Sequence, residues 1–163
     1  MPTINKAQLL HRVIAHLETA LSQAQQAAQT AYEAATDEEN IAENKYDTLG
    51  LEAAYLASGQ ARRVEELRQT LITWRQLRPR PFDIEQGIQL GTLVQLAAED
   101  GHEQWLFLGP PGASMKLQLA DQTIQVLGHT APLGKLLLGK KPGDEISLPV
   151  GSRQQVFEVL TAA

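Results

Sequence analysis

The fold is decided first by residues 9–35, LLHRVIAHLETALSQAQQAAQTAYEAA, in which apolar or small residues recur in alternating steps of four and three. The positions concerned are Leu10, Ile14, Leu17, Leu21, Ala24, Ala28, Ala31 and Ala35. This heptad spacing places them along one side of an α-helix and is typical of a coiled-coil seam. Because the seam changes from large side chains to alanine, we expect a partner helix to approach more closely at its later residues.

A second seam follows after a short polar segment. It comprises Tyr46, Leu49, Ala53, Leu56, Gln60, Val64, Leu67, Leu71 and Trp74, with one irregular step near Gln60. The polar segment between the seams, residues 36–40, offers Thr36, Asp37 and Asn40 as helix N-caps. We therefore predict a turn near residues 37–41 between two helices of roughly 30 residues, each about 45 Å long. A single continuous helix is the alternative, but an antiparallel hairpin covers the seam within one chain.

The second half of the sequence has a different period. The segment RPRPF, residues 78–82, ends the second helix because proline cannot continue it. Short or alternating apolar runs then predict strands at 90–96, 104–108, 116–119, 123–127, 145–150 and 155–160, and one short helix at 133–139. The predicted fold class is α+β: an antiparallel coiled-coil hairpin with an acidic tip over residues 1–78, and a small β-rich domain over residues 79–163.

Composition excludes several classes of protein. The chain has no cysteine, which excludes disulfides and cysteine-based zinc sites and suits a reducing compartment. No apolar run approaches the roughly 20 residues of a membrane span, and no signal peptide is recognisable. We therefore expect a cytoplasmic protein without a membrane partner.

Charge is unevenly distributed along the first half. Seven acidic residues lie between Glu33 and Glu52 against one base, Lys45, whereas six arginines lie between Arg62 and Arg80. The net charge of −5 disfavours a nucleic-acid binder. The acidic segment instead favours a partner that offers a cationic or metal-containing pocket.

The most specific stretch is TAPLGKLLLGKKPGD, residues 130–144. It predicts a helix that starts at proline and stops at glycine, then a tight turn into a strand. The stretch closely resembles the C-terminal signature of the Gre transcript-cleavage factors, although Ala131 stands where that family has serine. The matching residues are Pro132, Leu133, Gly134, Leu137, Leu138, Gly139, Lys140, Gly143 and Asp144.

The resemblance extends to the helical hairpin and covers nearly the whole chain. It implies a monomeric factor whose hairpin enters the secondary channel of bacterial RNA polymerase, while an FKBP-like C-terminal domain docks at the channel rim. Such a factor is not itself an enzyme, because it stimulates the polymerase's own Mg²⁺-dependent hydrolysis of backtracked RNA near the 3′ end. The docking residues implied here are Pro132, Leu133, Gly134, Lys135, Lys140 and Lys141.

The resemblance also implies a working tip. In the family, an Asp and a Glu at the start of the second helix assist catalysis; here Glu43 matches the Glu, and Asn40 stands at the Asp. Glu39 and Asp37 are the carboxylates available to substitute, and Glu39 shares a helical face with Glu43. Carboxylates suit the role because Mg²⁺ takes hard oxygen ligands. Glu39 and Glu43 would share the polymerase's Mg²⁺ only in the complex, and no cofactor is expected in the free protein.

Two registers and three functions stay open. Residues 59–67, GQARRVEEL, resemble a later family segment, and aligning on them shifts the tip by about one turn. The protein either stimulates transcript cleavage, or, as Asn40 favours, occupies the channel as a non-cleaving regulator that competes with cleavage factors. The third alternative is a coiled-coil adaptor unrelated to polymerase, in which the acids merely cap helix ends.

Overall fold

The computed structural model describes residues 4–36 and 49–163, and it confirms the predicted α+β class. Two long helices, α1 (Lys6–Thr36) and α2 (Leu49–Gln76), precede a β-rich region. That region comprises β1 (Leu93–Ala98), β2 (Glu103–Gly109), β3 (Met115–Leu119), β4 (Gln122–Gly128), α3 (Pro132–Leu137), β5 (Glu145–Val150) and β6 (Arg153–Ala162). All six predicted strands and the short helix are present; β1 begins at Leu93 rather than at residue 90. The turn predicted near residues 37–41 lies outside the described residues.

The chain divides into two compact units. One is formed by Met1–Ile14 together with Thr73–Ala163, and the other by Ala15–Ile72. Helix α1 therefore begins in the first unit and continues into the second, whereas α2 follows the opposite path. The domain boundary at residue 78 stays a prediction.

In the unit Ala15–Ile72, the predicted α1 seam is confirmed. Leu17, Ala24 and Ala31 are buried, and Leu21 and Ala28 between them are half-buried. The buried positions therefore follow the steps of four and three that the sequence predicted, and they become alanine toward the end of the helix.

The predicted α2 seam is wrong at one position. Leu56 is 57% exposed, while its neighbour Ala57 is half-buried. With Ala57 in its place the seam continues through Ala53, Ala57, Gln60, Val64, Leu67 and Leu71 in steps of four and three. The irregular step predicted near Gln60 is therefore absent, and the heptad is regular over this part of α2.

In the other unit, the first turns of α1 bury a different face from the predicted one. Leu9 and Val13 are fully buried, whereas Leu10 and Ile14 are only half-buried. Arg12, the residue before Val13, is exposed and donates from Nη1 to the Gln118 carbonyl oxygen of β3 at 3.0 Å. The prediction that Leu10 and Ile14 form the buried seam is therefore wrong at this end, because α1 packs there within the sheet-containing unit.

Lys6 ties three segments of the same unit together. Its ammonium donates to the main-chain oxygens of Arg80, at 2.7 Å, and Ala163, at 3.0 Å. Burial lowers the pKa of the Lys6 ammonium below its ordinary value.

The six strands form one sheet in the order β3-β4-β2-β1-β6-β5. Strands β2 and β4 are parallel, and the other neighbours are antiparallel. The β1–β6 register shifts between Gln95 and Leu96. The core beside the sheet comprises Ile88, Val94, Leu96, Leu106, Leu108, Leu137, Ile146, Phe157 and Val159. Within residues 4–36 and 49–163, no helix is both long and apolar enough to span a membrane.

Candidate functional site

Helix α3 begins at Pro132, which occupies the first turn, where a missing N–H is tolerated. Ala131 is the N-cap, with φ −66° and ψ 153°, and makes no side-chain capping hydrogen bond. The first closed turn instead depends on the main chain, because the Lys135 N–H donates to the Ala131 carbonyl at 2.9 Å. The helix start at Ala131 therefore forms without a side-chain cap.

Gly134 allows α3 to lie directly on the end of β4. It is buried, and a Cβ at this position would overlap the carbonyl oxygen of Gly128. One turn later, Leu137 is fully buried and belongs to the core cluster. The glycine therefore sets how deeply α3 packs, and Leu137 anchors it there.

The end of α3 is joined to the segment before β1 by paired main-chain hydrogen bonds. The Gly139 N–H donates to the Ile88 carbonyl, and the Ile88 N–H donates to the Lys140 carbonyl, both at 2.8 Å. Gly139 has φ +78° and Gly87 has φ +74°, which L residues rarely adopt. A Cβ on Gly87 would also overlap the main chain of Gly139. These glycines permit two backbones to touch.

Asp144 shapes the turn from α3 into β5. Its Oδ2 accepts from the Lys141 main-chain N–H at 2.8 Å, and its own N–H donates to the Lys141 carbonyl at 3.0 Å. Gly143 has φ +94° and donates its N–H to the Val159 carbonyl at 2.7 Å. The Gly-Asp pair of the signature therefore joins this turn to β6.

The predicted docking residues differ in exposure. Pro132 and Lys135 are exposed; Leu133, Lys140 and Lys141 are half-buried; Gly134 is buried. Leu133 packs partly against the core, so it supports α3 from beneath. None of the three lysine ammonium groups has a carboxylate within ion-pair distance among the described residues. These lysines form a group of cations beside a short helix, which suits binding to an acidic partner surface.

The predicted tip residues Asp37, Glu39, Asn40 and Glu43 all lie outside the described residues, so their roles stay predictions. In the described residues on either side, Glu33 is exposed near the end of α1 and Glu52 is exposed in the first turn of α2. Glu33 Oε1 accepts from Gln29 Nε2 at 2.9 Å. Across residues 4–36 and 49–163, no three His, Cys, Asp or Glu side chains are grouped as metal ligands would be.

Two sets of exposed apolar residues were missed from sequence. Leu138, on the signature segment, is 37% exposed beside the candidate docking lysines. On the long helices, Tyr32, Leu51, Tyr55 and Leu56 are exposed. Leu51 and Tyr55 are spaced i, i+4 and lie off the seam, a pattern recognisable from sequence once the seam register is known.

Comparison with known proteins gives structural matches only. No family model matches the chain, and no curated protein matches it. It is similar to the structure of Gfh1 from Thermus aquaticus, with 23% identity, a TM-score of 0.41, and coverage of 91% of this chain and 92% of that one. The structure of GreA factor homolog 1 from Thermus thermophilus has 19% identity and a TM-score of 0.39, with coverage of 92% of this chain and 94% of that one. The transcription elongation factor GreA/GreB from Nitrosomonas europaea has 20% identity and a TM-score of 0.38, with coverage of 61% of this chain and 78% of that one. All three of these structures are of Gre-type factors, namely Gfh1, GreA factor homolog 1 and GreA/GreB.

Proposed function

We propose that this protein is a monomeric RNA polymerase-binding factor of the Gre type, whose α1–α2 arm enters the secondary channel and whose β-rich region docks at the channel rim. The observation that supports this most directly is one chain's combination of the 130–144 signature with a strongly acidic segment between two long helices. Neither feature would be needed for the other's folding. Their coincidence favours a protein that docks by one part and delivers charge with the other.

The docking role is supported by the way the signature is built. Buried Gly134 and Leu137 hold α3 against the sheet, and the paired main chains at Gly139 fix its far end. Lys135 is thereby presented on a rigid element. A rigid cationic surface loses little conformational entropy on binding, which favours recognition of an acidic partner.

The delivery role is supported by the helices themselves. Helix α1 has 31 residues and α2 has 28, so at 1.5 Å per residue they are about 46 and 42 Å long. In α1 the buried seam changes from Leu17 to Ala24 and Ala31, so the seam side chains add little width toward the end of the helix. A narrow helix suits a narrow pore, and the acids of residues 33–52 suit a pore that contains Mg²⁺.

We further propose that Glu39 and Glu43 assist the cleavage of backtracked RNA. Their carboxylates would supply oxygen ligands to a second Mg²⁺ at the polymerase active site and orient the attacking water. Asp37 is the next carboxylate in sequence, and Asn40 contributes a neutral oxygen. The hydrolysis belongs to the polymerase, so this chain acts as its cofactor and not as an enzyme.

A cleavage assay tests the proposal. Purified protein is added with Mg²⁺ to a stalled, backtracked elongation complex, and short RNA fragments from the 3′ end are measured. Glu39→Ala with Glu43→Ala is expected to abolish their release and leave polymerase binding unchanged. The control, Glu99→Ala with Glu145→Ala, removes the same charge from exposed positions of the sheet region and is expected to cleave normally. Wild-type cleavage by the tip variant would overturn the tip assignment.

A non-cleaving regulator is the second candidate, and the amide at Asn40 is what favours it. An amide oxygen binds a dication more weakly than a carboxylate does. Such a protein would release no RNA itself but would slow a genuine cleavage factor in a competition assay. Failure to bind polymerase at all would remove both candidates and leave a coiled-coil adaptor.

A further inference from the structure

A groove runs along the first turns of α1, within the sheet-containing unit. Its walls are α1 between Lys6 and Ile14 on one side and the segment Pro79–Pro81 on the other, and its volume is about 480 Å³. That volume lies within the range of about 300–1,000 Å³ that is usual for ligand sites. None of the candidate docking lysines, Lys135, Lys140 and Lys141, lines the groove.

The apolar surface of the groove consists of residues that the fold leaves partly uncovered. Leu10 and Ile14 continue the α1 seam in sequence, but Leu9 and Val13 are buried in their place. Leu10 and Ile14, one turn apart, therefore face the groove half-buried, opposite Pro79 and Pro81. Together with the prolines they give the groove an apolar lining, against which a bound peptide can bury apolar side chains.

The charge at the groove is positive. The cations Lys6 and Arg80 line it, and among the described residues no acidic side chain does. The Lys6 ammonium is already held by main-chain oxygens of Arg80 and Ala163. The Arg80 guanidinium is exposed and has no partner within the described part of the chain, so it remains available to a carboxylate.

Polypeptide fits this combination better than nucleic acid does. Phosphates need several cations along a polar surface, whereas here an apolar floor has a single uncommitted arginine at its edge. An apolar segment with acidic residues would bury its side chains against Leu10 and Ile14 and place a carboxylate beside Arg80. We propose that this groove binds an acidic, apolar segment of RNA polymerase, as a second contact apart from α3; this rests on the proposed function.

Charge reversal at Arg80 is the first test. Arg80→Glu is measured against the control Arg153→Glu, an equal charge change at the exposed first residue of β6. Affinity for purified core polymerase is measured by titration at several salt concentrations. Arg80→Glu is expected to weaken binding by about tenfold and to reduce its salt dependence, while Arg153→Glu stays within about twofold. Equal effects of the two variants, or tighter binding by Arg80→Glu, would overturn the proposal.

The absence of cysteine from the sequence allows a second test by site-directed crosslinking. Ala7→Cys places one thiol in the groove, and Gln8→Cys places one on a neighbouring exposed face. Each carries a benzophenone photocrosslinker and is irradiated with purified core polymerase. The Ala7 position is expected to yield a polymerase peptide that contains both acidic and apolar residues, more efficiently than the Gln8 position. A basic polymerase peptide, a peptide of a second copy of this chain, or no polymerase peptide would each contradict the proposal.

The two tests separate this inference from the function on which it rests. If wild-type protein does not bind core polymerase, the proposed function fails, and the groove's assignment fails with it. If it binds but either test gives its contradicting result, only the groove's assignment fails.

Discussion

Trp74, the last residue of the α2 seam, lies beside Phe107 of β2, with ring centroids 6.2 Å apart and planes tilted by 40°. Both side chains are fully buried. The indole also lies against Gly109, where a Cβ would overlap the six-membered ring. The end of α2 is thus seated on the end of β2 by an aromatic pair and a glycine.

The first prediction concerns this seat. Gly109→Ala is expected to reduce the free energy of unfolding by about 1–3 kcal/mol, because the added methyl group forces Trp74 to move in a packed interior. Denaturant unfolding followed by tryptophan fluorescence measures the change.

Gly59→Ala is its control. Gly59 lies within α2, with nothing near the position of an added Cβ. The same chemical change there is expected to stabilise the protein by about 0.5–1 kcal/mol, because alanine favours helix over glycine. If both variants change stability in the same direction, the proposed contact between Gly109 and Trp74 does not limit packing.

The second prediction distinguishes the observed α2 seam from the one expected from sequence. Ala57→Gln is expected to destabilise by about 1–3 kcal/mol, because a long polar side chain is forced into a half-buried seam position. Leu56→Gln is expected to change stability by less than about 0.5 kcal/mol, because Leu56 is mostly exposed. Urea unfolding followed by helical circular dichroism measures both. The reverse order of effects would restore the seam with Leu56.

The error at Leu56 shows what periodicity alone can decide. Both Leu56 and Ala57 fit the heptad spacing, and the more apolar leucine was assigned to the seam. In the structure it is the smaller Ala57 that is half-buried there. The helices, the six strands and α3 were predictable because their patterns are local. The facing of Leu9 and Val13 was not, because it depends on the sheet that α1 meets, which is distant in sequence.

Turn chemistry was also only partly predictable. The β3–β4 hairpin turns at Ala120 and Asp121, with φ of 53° and 60°. Two successive positive φ values are usual for Asn-Gly or Asp-Gly, so Ala-Asp gives no turn signal. Tertiary pairing of β4 with β2 as well as β3 holds this turn despite its residues.

The third prediction concerns the glycines that join α3 to the segment before β1. Gly139→Ala is expected to cost about 1–2 kcal/mol, the strain of a positive φ, since the space around it is open. Gly87→Ala should cost this strain and about 1–3 kcal/mol more, because its methyl group overlaps the Gly139 main chain. Thermal unfolding of the two variants is compared. Equal losses would mean that the close approach of the backbones is not maintained in solution.

The fourth prediction is a pH dependence at the β1–β2 turn. The His102 main-chain N–H donates to Asp100 Oδ1 at 3.0 Å, and the imidazole Nδ1 lies 2.8 Å from Oδ2. These bonds, the main-chain one first, lower the pKa of Asp100. Since the folded pKa lies below the unfolded one, the turn's contribution to stability is complete above the unfolded pKa. It is lost as pH falls through the folded pKa.

An NMR titration of the Asp100 carboxyl carbon measures this shift directly. His102→Ala keeps the main-chain donor, so the Asp100 pKa is expected to rise only part of the way to its ordinary value. A complete return to that value would show that the imidazole, not the N–H, is the main cause.

The site was less predictable than the fold. The signature located α3, but exposure could not be assigned from residue type: Gly134 is buried and Lys140 is half-buried, while Leu138 is exposed. Which side of so short a helix faces solvent depends on the strand beneath it. The groove at Leu10 has the same cause, because a seam pattern in sequence does not show that Leu9 and Val13 are buried in place of Leu10 and Ile14.

The fifth prediction concerns Asn40. If the register that places Asn40 at the family's aspartate is correct, Asn40→Asp restores a carboxylate next to the Mg²⁺ of the polymerase active site. Cleavage of backtracked RNA is then expected to increase by about tenfold, a size typical of changing one group that supports a metal. The cleavage rate is measured at saturating protein, so that a change in polymerase affinity does not contribute.

Asn44→Asp is the matched control, because it adds the same charge four residues later in the sequence. In the proposed register Asn40, not Asn44, stands at the family's aspartate, so replacing Asn44 should not increase cleavage. A gain at Asn44 and none at Asn40 would move the working tip by about one turn, which is the alternative register. If neither variant increases cleavage, a carboxylate at either position lies too far from the Mg²⁺ ion to bind it. This result would rule out a metal-binding role for this segment.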